Sequence, residues 1–287
     1  MKLIAYYVAA LAYVNPCFAQ ELIKYKPMEP SSDTTEVVAL VSLPAAVADA
    51  ATRRPAVVLL HAGGGWETPV TGQYAKALNT AGFVTLEPRL FRNASERKPS
   101  PAAYTPHVYG ALHYLAARPD VDPKKIAVAG FSHGGVLSVN AATEWAATTY
   151  GGPNALKFAA HAPFYPVCWG YVAFMKARPK IPFLPSDAYS KWTHTPVKIF
   201  AGGLDDYDDR DPKACEAFIA EIPPEYRSAF SVKLYPDATH GWDQPAAEFM
   251  EPRACKGRGC MNRNVPNAAV TSQGISELVE FMTANLR

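Results

Sequence analysis

Ala56-Val57-Val58-Leu59-Leu60 is an unbroken apolar run, the mark of a strand buried on both faces. Short runs of the same kind recur at Phe83–Leu86, Ile126–Ala129 and Val197–Ala201, with a weaker one at Ala155–Ala160. Phe230–Tyr235 and, more loosely, Glu36–Leu43 alternate apolar with polar, which predicts strands with one wetter face. Helical stretches separate them. Val70–Ala81 is closed by Gly82 as a C-terminal cap, and Tyr109–Ala117 stops before Pro119. Val136–Ala147 is rich in alanine and free of proline, Pro212–Ile222 carries proline in its first turn, and Ile275–Leu286 is amphipathic. Pro44–Pro55 is an alanine-rich connection, and the polar, proline-rich Arg92–Pro106 reads as loop. Strand and helix alternate throughout, which predicts an α/β fold: a mostly parallel sheet with helices on both faces. No repeat or flexible linker breaks the pattern, so residues 20–287 are expected to form one domain.

In such sheets ligands bind beyond the carboxyl ends of the strands. Three ends carry candidate chemistry. Ile126–Ala129 runs into Gly130-Phe131-Ser132-His133-Gly134-Gly135, a G-x-S-x-G turn between strand and helix. A turn this tight strains its central residue, admits only small neighbours, and lifts the serine hydroxyl to the positive end of the helix. Val197–Ala201 leads to Gly202-Gly203-Leu204-Asp205-Asp206, and Phe230–Tyr235 to Pro236-Asp237-Ala238-Thr239-His240-Gly241. The chain order Ser, Asp, His is that of α/β-hydrolases. A serine hydroxyl is a weak nucleophile, so Ser132 needs His240 as general base. His240 needs a carboxylate on its other nitrogen, and Asp205 is the choice. Five aspartates lie between residues 205 and 211, and such a run is usually a solvated loop. The oxyanion needs two donors: the backbone N–H of His133, and one from the glycine-rich turn His61-Ala62-Gly63-Gly64-Gly65 after the first buried strand, expected at Gly63.

Together these pieces resemble the dienelactone hydrolase family of α/β-hydrolases, as does Val121-Asp122-Pro123-Lys124-Lys125-Ile126 ahead of the serine strand. The similarity runs from about Ala56 to the C-terminus. It implies an α/β-hydrolase fold, with Ser132, Asp205 and His240 as nucleophile, acid and base and with Gly63 and His133 at the oxyanion. The founding members use a cysteine nucleophile. Serine here points away from dienelactone itself and towards a general carboxylic ester.

The formal net charge of +2 gives no pull toward nucleic acid or anionic membranes. At the N-terminus Lys2 precedes an apolar stretch, Leu3–Val14, too short to span a bilayer, and Cys17-Phe18-Ala19 resembles a cleavage site. Residues 1–19 therefore read as a signal peptide for a secreted or periplasmic protein that has no membrane contact once cleaved; an uncleaved N-terminal anchor is the alternative. Cleavage leaves Cys168, Cys215, Cys255 and Cys260, for which three pairings exist. Gly257 and Gly259 ease a tight Cys255–Cys260 loop. Cys168 and Cys215 both follow strands that end on the active-site side, so Cys168–Cys215 is the expected second bond. No metal or cofactor is expected: His107 and His113 are six residues apart, no H-E-x-x-H occurs, and the acidic run lacks the order of a calcium loop.

Phe164–Trp192 holds eight aromatic residues in 29, which predicts an apolar wall or short cap over the site. Phe164, Tyr165 and Trp169 from it, with Trp66, Arg89 and Trp242, are candidate pocket residues. The other loops look short, so a small pocket for short acyl esters or lactones is expected. An amidase or peptidase of the same fold, and a non-catalytic binding protein on this scaffold, stay open, because the motif alone does not choose among them.

Overall fold

The computed structural model describes residues 19–31, 33–44, 53–68 and 70–287. The expected signal peptide lies outside the described residues except for Ala19, as does most of the Pro44–Pro55 connection. One eight-stranded sheet runs β1 (Gln20–Tyr25), β2 (Val37–Ser42), β4 (Val84–Pro88), β3 (Arg54–Leu60), β5 (Val121–Phe131), β6 (His161–Phe164), β7 (Val197–Gly202), β8 (Phe230–Tyr235) in spatial order. The first two pairings are antiparallel and the rest parallel. The fold is α/β.

Alternate residues of the central strands feed opposite layers. Val57 and Leu59 of β3 and Ala127 and Ala129 of β5 pack with α1 (Thr71–Thr80) and the C-terminal helix Ala268–Leu286 through Tyr74, Leu78, Leu278 and Met282. Ala56, Val58, Leu60, Ile126 and Val128 face α2 (Thr105–Ala117), α3 (His133–Ala141) and α4 (Glu144–Tyr150). Each buried aliphatic side chain is worth about 1.5–3 kcal/mol, and burial on both sides is why these runs carry no polar residue. A third cluster covers β7 with α5 (Cys168–Ala177) and α6 (Ala214–Glu221).

Four expectations are corrected. The weak strand expected at Ala155–Ala160 lies later, at His161–Phe164, where a buried histidine and Pro163 interrupt the apolar signal. The helix expected over Val136–Ala147 is two helices, because the Thr143 hydroxyl accepts the Ala146 N–H and starts a new one. β1, an edge strand, is not predicted by the pattern; its residues are mostly exposed and so lack an apolar period. The loop after β8 is not short: it carries a hairpin of β9 (Ala247–Glu251) and β10 (Cys260–Asn264), joined through α7 (Ala254–Gly257), before α8 (Ala268–Leu286). Four of the five β9 residues are exposed, so burial leaves no period to read there.

Candidate active site

Ser132 stands between β5 and α3 with φ +52° and ψ −109°, a conformation that side chains rarely adopt. Its neighbours are glycine for a reason of space: a Cβ at Gly130 would strike the Gly134 carbonyl, and one at Gly135 would lie 2.6 Å from the Phe164 carbonyl oxygen. The Ser132 N–H donates to the Phe164 oxygen at 3.0 Å and so ties the turn to β6.

Beyond β8, His240 is 3 % exposed. Its Nε2 lies 2.8 Å from Ser132 Oγ, and its Nδ1 lies 2.8 Å from Asp205 Oδ2. Asp205 Oδ1 accepts the Tyr207 N–H at 2.9 Å, which orients the carboxylate. The arrangement can draw a proton from the serine hydroxyl and hold the resulting imidazolium.

The acidic run is not a solvated loop. Asp206 faces away from His240 and accepts from Arg210 Nε at 2.8 Å and from the Arg263 N–H of β10 at 3.0 Å. Asp208 is buried and accepts the N–H groups of Cys168 and Trp169 at 3.2 and 2.8 Å, at the start of α5. Burial, and then the charge of Asp205, push its carboxyl up to about 7. Asp209 pairs with Arg258 and Asp211 with Lys256. Both disulfides are present: Cys168–Cys215 ties α5 to α6, and Cys255–Cys260 closes the hairpin. The cluster of Cys168, Asp208 and Cys215 has its sulfurs committed to that bond and is no metal site.

At the N-terminus of α3 the His133 ring packs edge-on against Phe91 and Tyr104. Burial, then Arg97, lowers its imidazole to about 3, so the ring is neutral. Gly63 lies beside it: a side chain there would come within 3.8 Å of His133 Cβ and collide with the Arg97 guanidinium, which donates to the Gly63 carbonyl at 3.3 Å. Among the described residues, neither the Gly63 nor the His133 N–H donates to another protein group.

Ser132 opens into a cavity of about 310 Å³. Trp169, Tyr171, Phe174, Ile181, Leu184 and Tyr189 form an apolar wall, with Arg97, Tyr207 and Arg253 among them. The aromatic segment thus supplies the wall, but of the six candidate pocket residues only Trp169 lines it. Phe164 is spent in the core, stacked 4.2 Å from Phe200. Trp242 is fully buried against Tyr165 and Tyr235. Tyr165 is buried beneath the His240 ring. Trp66 and Arg89 stack on each other at 4.0 Å and border a separate cavity of about 420 Å³ with Glu87. Side chains at strand ends fall to either face of the sheet, and proximity in sequence to a strand end does not say which. Sequence reasoning misses Tyr207, Arg97 and Arg253 because each sits in a polar stretch where an exposed and a site residue look alike.

The profile of the dienelactone hydrolase family matches residues 39–284. No curated protein matches the chain. Among solved structures, esterase 2 of Thermogutta terrifontis, phosphoramylated by tabun, superposes with a TM-score of 0.63 at 17 % identity over 92 % of this chain and 94 % of that one. A dienelactone hydrolase-like promiscuous phosphotriesterase from metagenomic libraries gives 0.62 at 16 %, over 94 % and 99 %. The dienelactone hydrolase of Anabaena variabilis gives 0.58 at 17 %, over 94 % and 99 %. At such identities these likenesses speak for the fold; the family match speaks for the chemistry. The chain belongs to the dienelactone hydrolase family and is a carboxylic ester hydrolase.

Proposed function

We propose that the chain is an exported serine hydrolase that cleaves esters or lactones of small acyl groups through an acyl-enzyme. The observation that carries the reading is the unbroken hydrogen-bonded line from Ser132 Oγ through the His240 ring to Asp205, with both links at 2.8 Å. In this reading Ser132 Oγ attacks the carbonyl carbon while His240 Nε2 takes its proton. Asp205 fixes the tautomer and stabilises the imidazolium. The carbonyl oxygen gains the charge and is received by the N–H groups of His133 and Gly63, at the positive end of α3. His240 then protonates the departing alkoxide. Water, deprotonated by the same nitrogen, frees the acid and restores the serine. The neutral His133 ring adds no charge of its own beside that oxygen.

The cavity volume lies at the small end of ligand pockets, which favours short acyl groups. The Arg97 guanidinium in a largely apolar wall favours an acyl or alcohol part that carries negative charge, whereas Arg253 is already paired with Glu251. Export is supported by the leader-like residues 1–19 and by two disulfides, bonds that persist in oxidising compartments. Among the described residues no helix is long and apolar enough to cross a membrane. A fluorophosphonate probe tests the nucleophile, with labelling expected at Ser132 alone. A panel of p-nitrophenyl esters and matching anilides tests the bond. Ester turnover with little anilide turnover is expected; the reverse would make the protein an amidase, and no labelling would leave a binding protein.

A further inference from the structure

His240 is gripped from two sides. The Tyr165 ring meets it edge-on with centroids 4.9 Å apart, and the Tyr207 ring lies 4.4 Å away at a tilt. Each tyrosine is in turn held by its hydroxyl. Tyr165 Oη donates to Asp243 at 2.5 Å, and the same carboxylate accepts Tyr74 Oη at 2.6 Å. Tyr207 Oη donates to Glu251 at 3.0 Å, and Glu251 is also bonded to Arg253. Asp243 is half-buried next to Trp242; Glu251 is buried and closes β9. Tyr165 adopts φ +37°, a strained value for an aromatic residue, and its N–H donates to the Phe200 carbonyl at 2.7 Å. Strain of this kind persists only where the surroundings over-determine it. The Ser132–His240–Asp205 line requires the imidazole to point both nitrogens at once, and a rotation of its ring would break both bonds.

We propose that Tyr165 and Tyr207, each anchored through its hydroxyl to a buried or part-buried carboxylate, are positioning residues that hold the His240 ring in line between Asp205 and Ser132. The two anchors differ. Tyr165 is fixed by Asp243, which Tyr74 of α1 also holds. Tyr207 is fixed from the hairpin, through Glu251, by a residue whose other partner, Arg253, lines the cavity. The hairpin therefore does more than wall the site: it holds one side of the general base.

The inference rests on the serine hydrolase reading, and its test separates the two. Tyr165→Phe, Tyr207→Phe and the double variant, made in the intact chain, keep both rings and remove the hydroxyl anchors. Turnover of p-nitrophenyl acetate is expected to fall about tenfold in each single variant and about 10²-fold in the double, with the loss in kcat exceeding any change in KM, the scale that a small misplacement of a catalytic group costs. The low-field proton resonance of His240 Nδ1–H, bonded to Asp205, is expected to broaden in step. A merely structural role would lower the melting temperature and leave kcat per folded molecule and that resonance unaltered, which would overturn the proposal. If the parent chain is not labelled at Ser132 by fluorophosphonate, the hydrolase reading itself fails. If the parent is labelled and the variants are labelled at the same rate, only the clamp fails. Tyr165→Phe removes a donor from a half-buried carboxylate; should that variant not fold, Tyr207→Phe decides the matter alone.

Discussion

The serine turn and the cavity wall face each other across Ser132, and different forces hold them. The turn hangs on β5, whose Ile126 to Phe131 are buried in the middle of the sheet, and its shape is set by backbone packing at Gly130, Gly134 and Gly135. Nothing there depends on charge or on a covalent bridge. The opposite side, made of α5, the acid turn and the β9–β10 hairpin, is held by two disulfides and by the carboxylates of Asp206, Asp208, Asp209, Asp211 and Glu251. In the proposed mechanism the nucleophile belongs to the first kind of structure and the substrate's surroundings mostly to the second. Asp205 and His240 stand at the junction: they are buried like the turn and attached to elements of the wall. The difference teaches where each perturbation should be felt. Removing the reacting side chain of the turn should remove chemistry without loosening the fold, whereas a change in the wall should loosen or reshape the site while chemistry survives.

The largest expected effect breaks the turn's side alone. Ser132→Ala leaves every backbone contact of the turn in place, so its melting temperature should match the parent. Ester turnover should fall roughly 10³- to 10⁶-fold, the range seen when one member of such a triad is lost. A variant within tenfold of the parent would take the nucleophile's role from Ser132.

Next in size is a contrast within the acid turn. Asp205→Asn presents an amide to His240 Nδ1 and favours the wrong tautomer, which should lower kcat by about 10⁴. Asp206→Asn removes a charge that Arg210 and Arg263 share, so it should weaken the attachment of the hairpin and cost no more than about tenfold in kcat. Parallel kcat and melting measurements on both variants decide the point. Comparable losses of kcat would erase the line drawn between junction and wall.

The two disulfides should differ in what they hold. Cys168–Cys215 closes a separation of 47 residues and Cys255–Cys260 one of 5. Loop-closure entropy assigns roughly 4 kcal/mol to the first and roughly 2 kcal/mol to the second. Replacing both cysteines of a pair by serine and following denaturant unfolding measures each. The Cys168–Cys215 variant should be the less stable. The Cys255–Cys260 variant should show its effect more in KM, because its hairpin carries Arg253. Equal stability losses would show that chain entropy is not what these bonds mainly supply.

The same division separates what is legible in the amino-acid sequence from what is not. Ala56–Leu60, Ile126–Ala129 and Val197–Ala201 are continuous apolar runs because burial on both faces leaves no choice, and each lies within a strand at the expected place. Ser132 and Asp205 follow two of these strands and His240 follows the alternating Phe230–Tyr235, so their meeting can be argued from the order of elements. The wall offers no such handle. Arg253 sits in a hairpin whose residues are mostly exposed, and Arg97 in a polar loop; neither stretch has a period. Aromatics mislead for the opposite reason: Phe164 ends a strand and Trp242 lies two residues past His240, as a pocket residue would, but the core claims them. Five neighbouring aspartates look like solvent-facing charge because their partners, at the start of α5, on the hairpin and at His240, are far away along the chain.

The smallest expected effect sharpens the comparison from the wall's side. The cavity before Ser132 holds about 310 Å³ and is lined by Trp169, Phe174, Ile181 and Leu184. Each methylene of an acyl chain that finds room there gains about 0.8 kcal/mol, close to fourfold in kcat/KM, and gains nothing once the space is full. On p-nitrophenyl esters kcat/KM should therefore climb over the shortest chains, peak early and fall by the octanoate. Trp169→Ala enlarges the cavity without touching the triad. It should move the peak by about one or two methylenes and leave turnover of the acetate near the parent's. A rise that continues through the dodecanoate in the parent would mean an acyl groove running past this wall. A Trp169→Ala variant that loses acetate turnover would mean that the wall, through the N–H bond from residue 169 to Asp208 and so to the acid turn, takes part in holding the reacting groups after all.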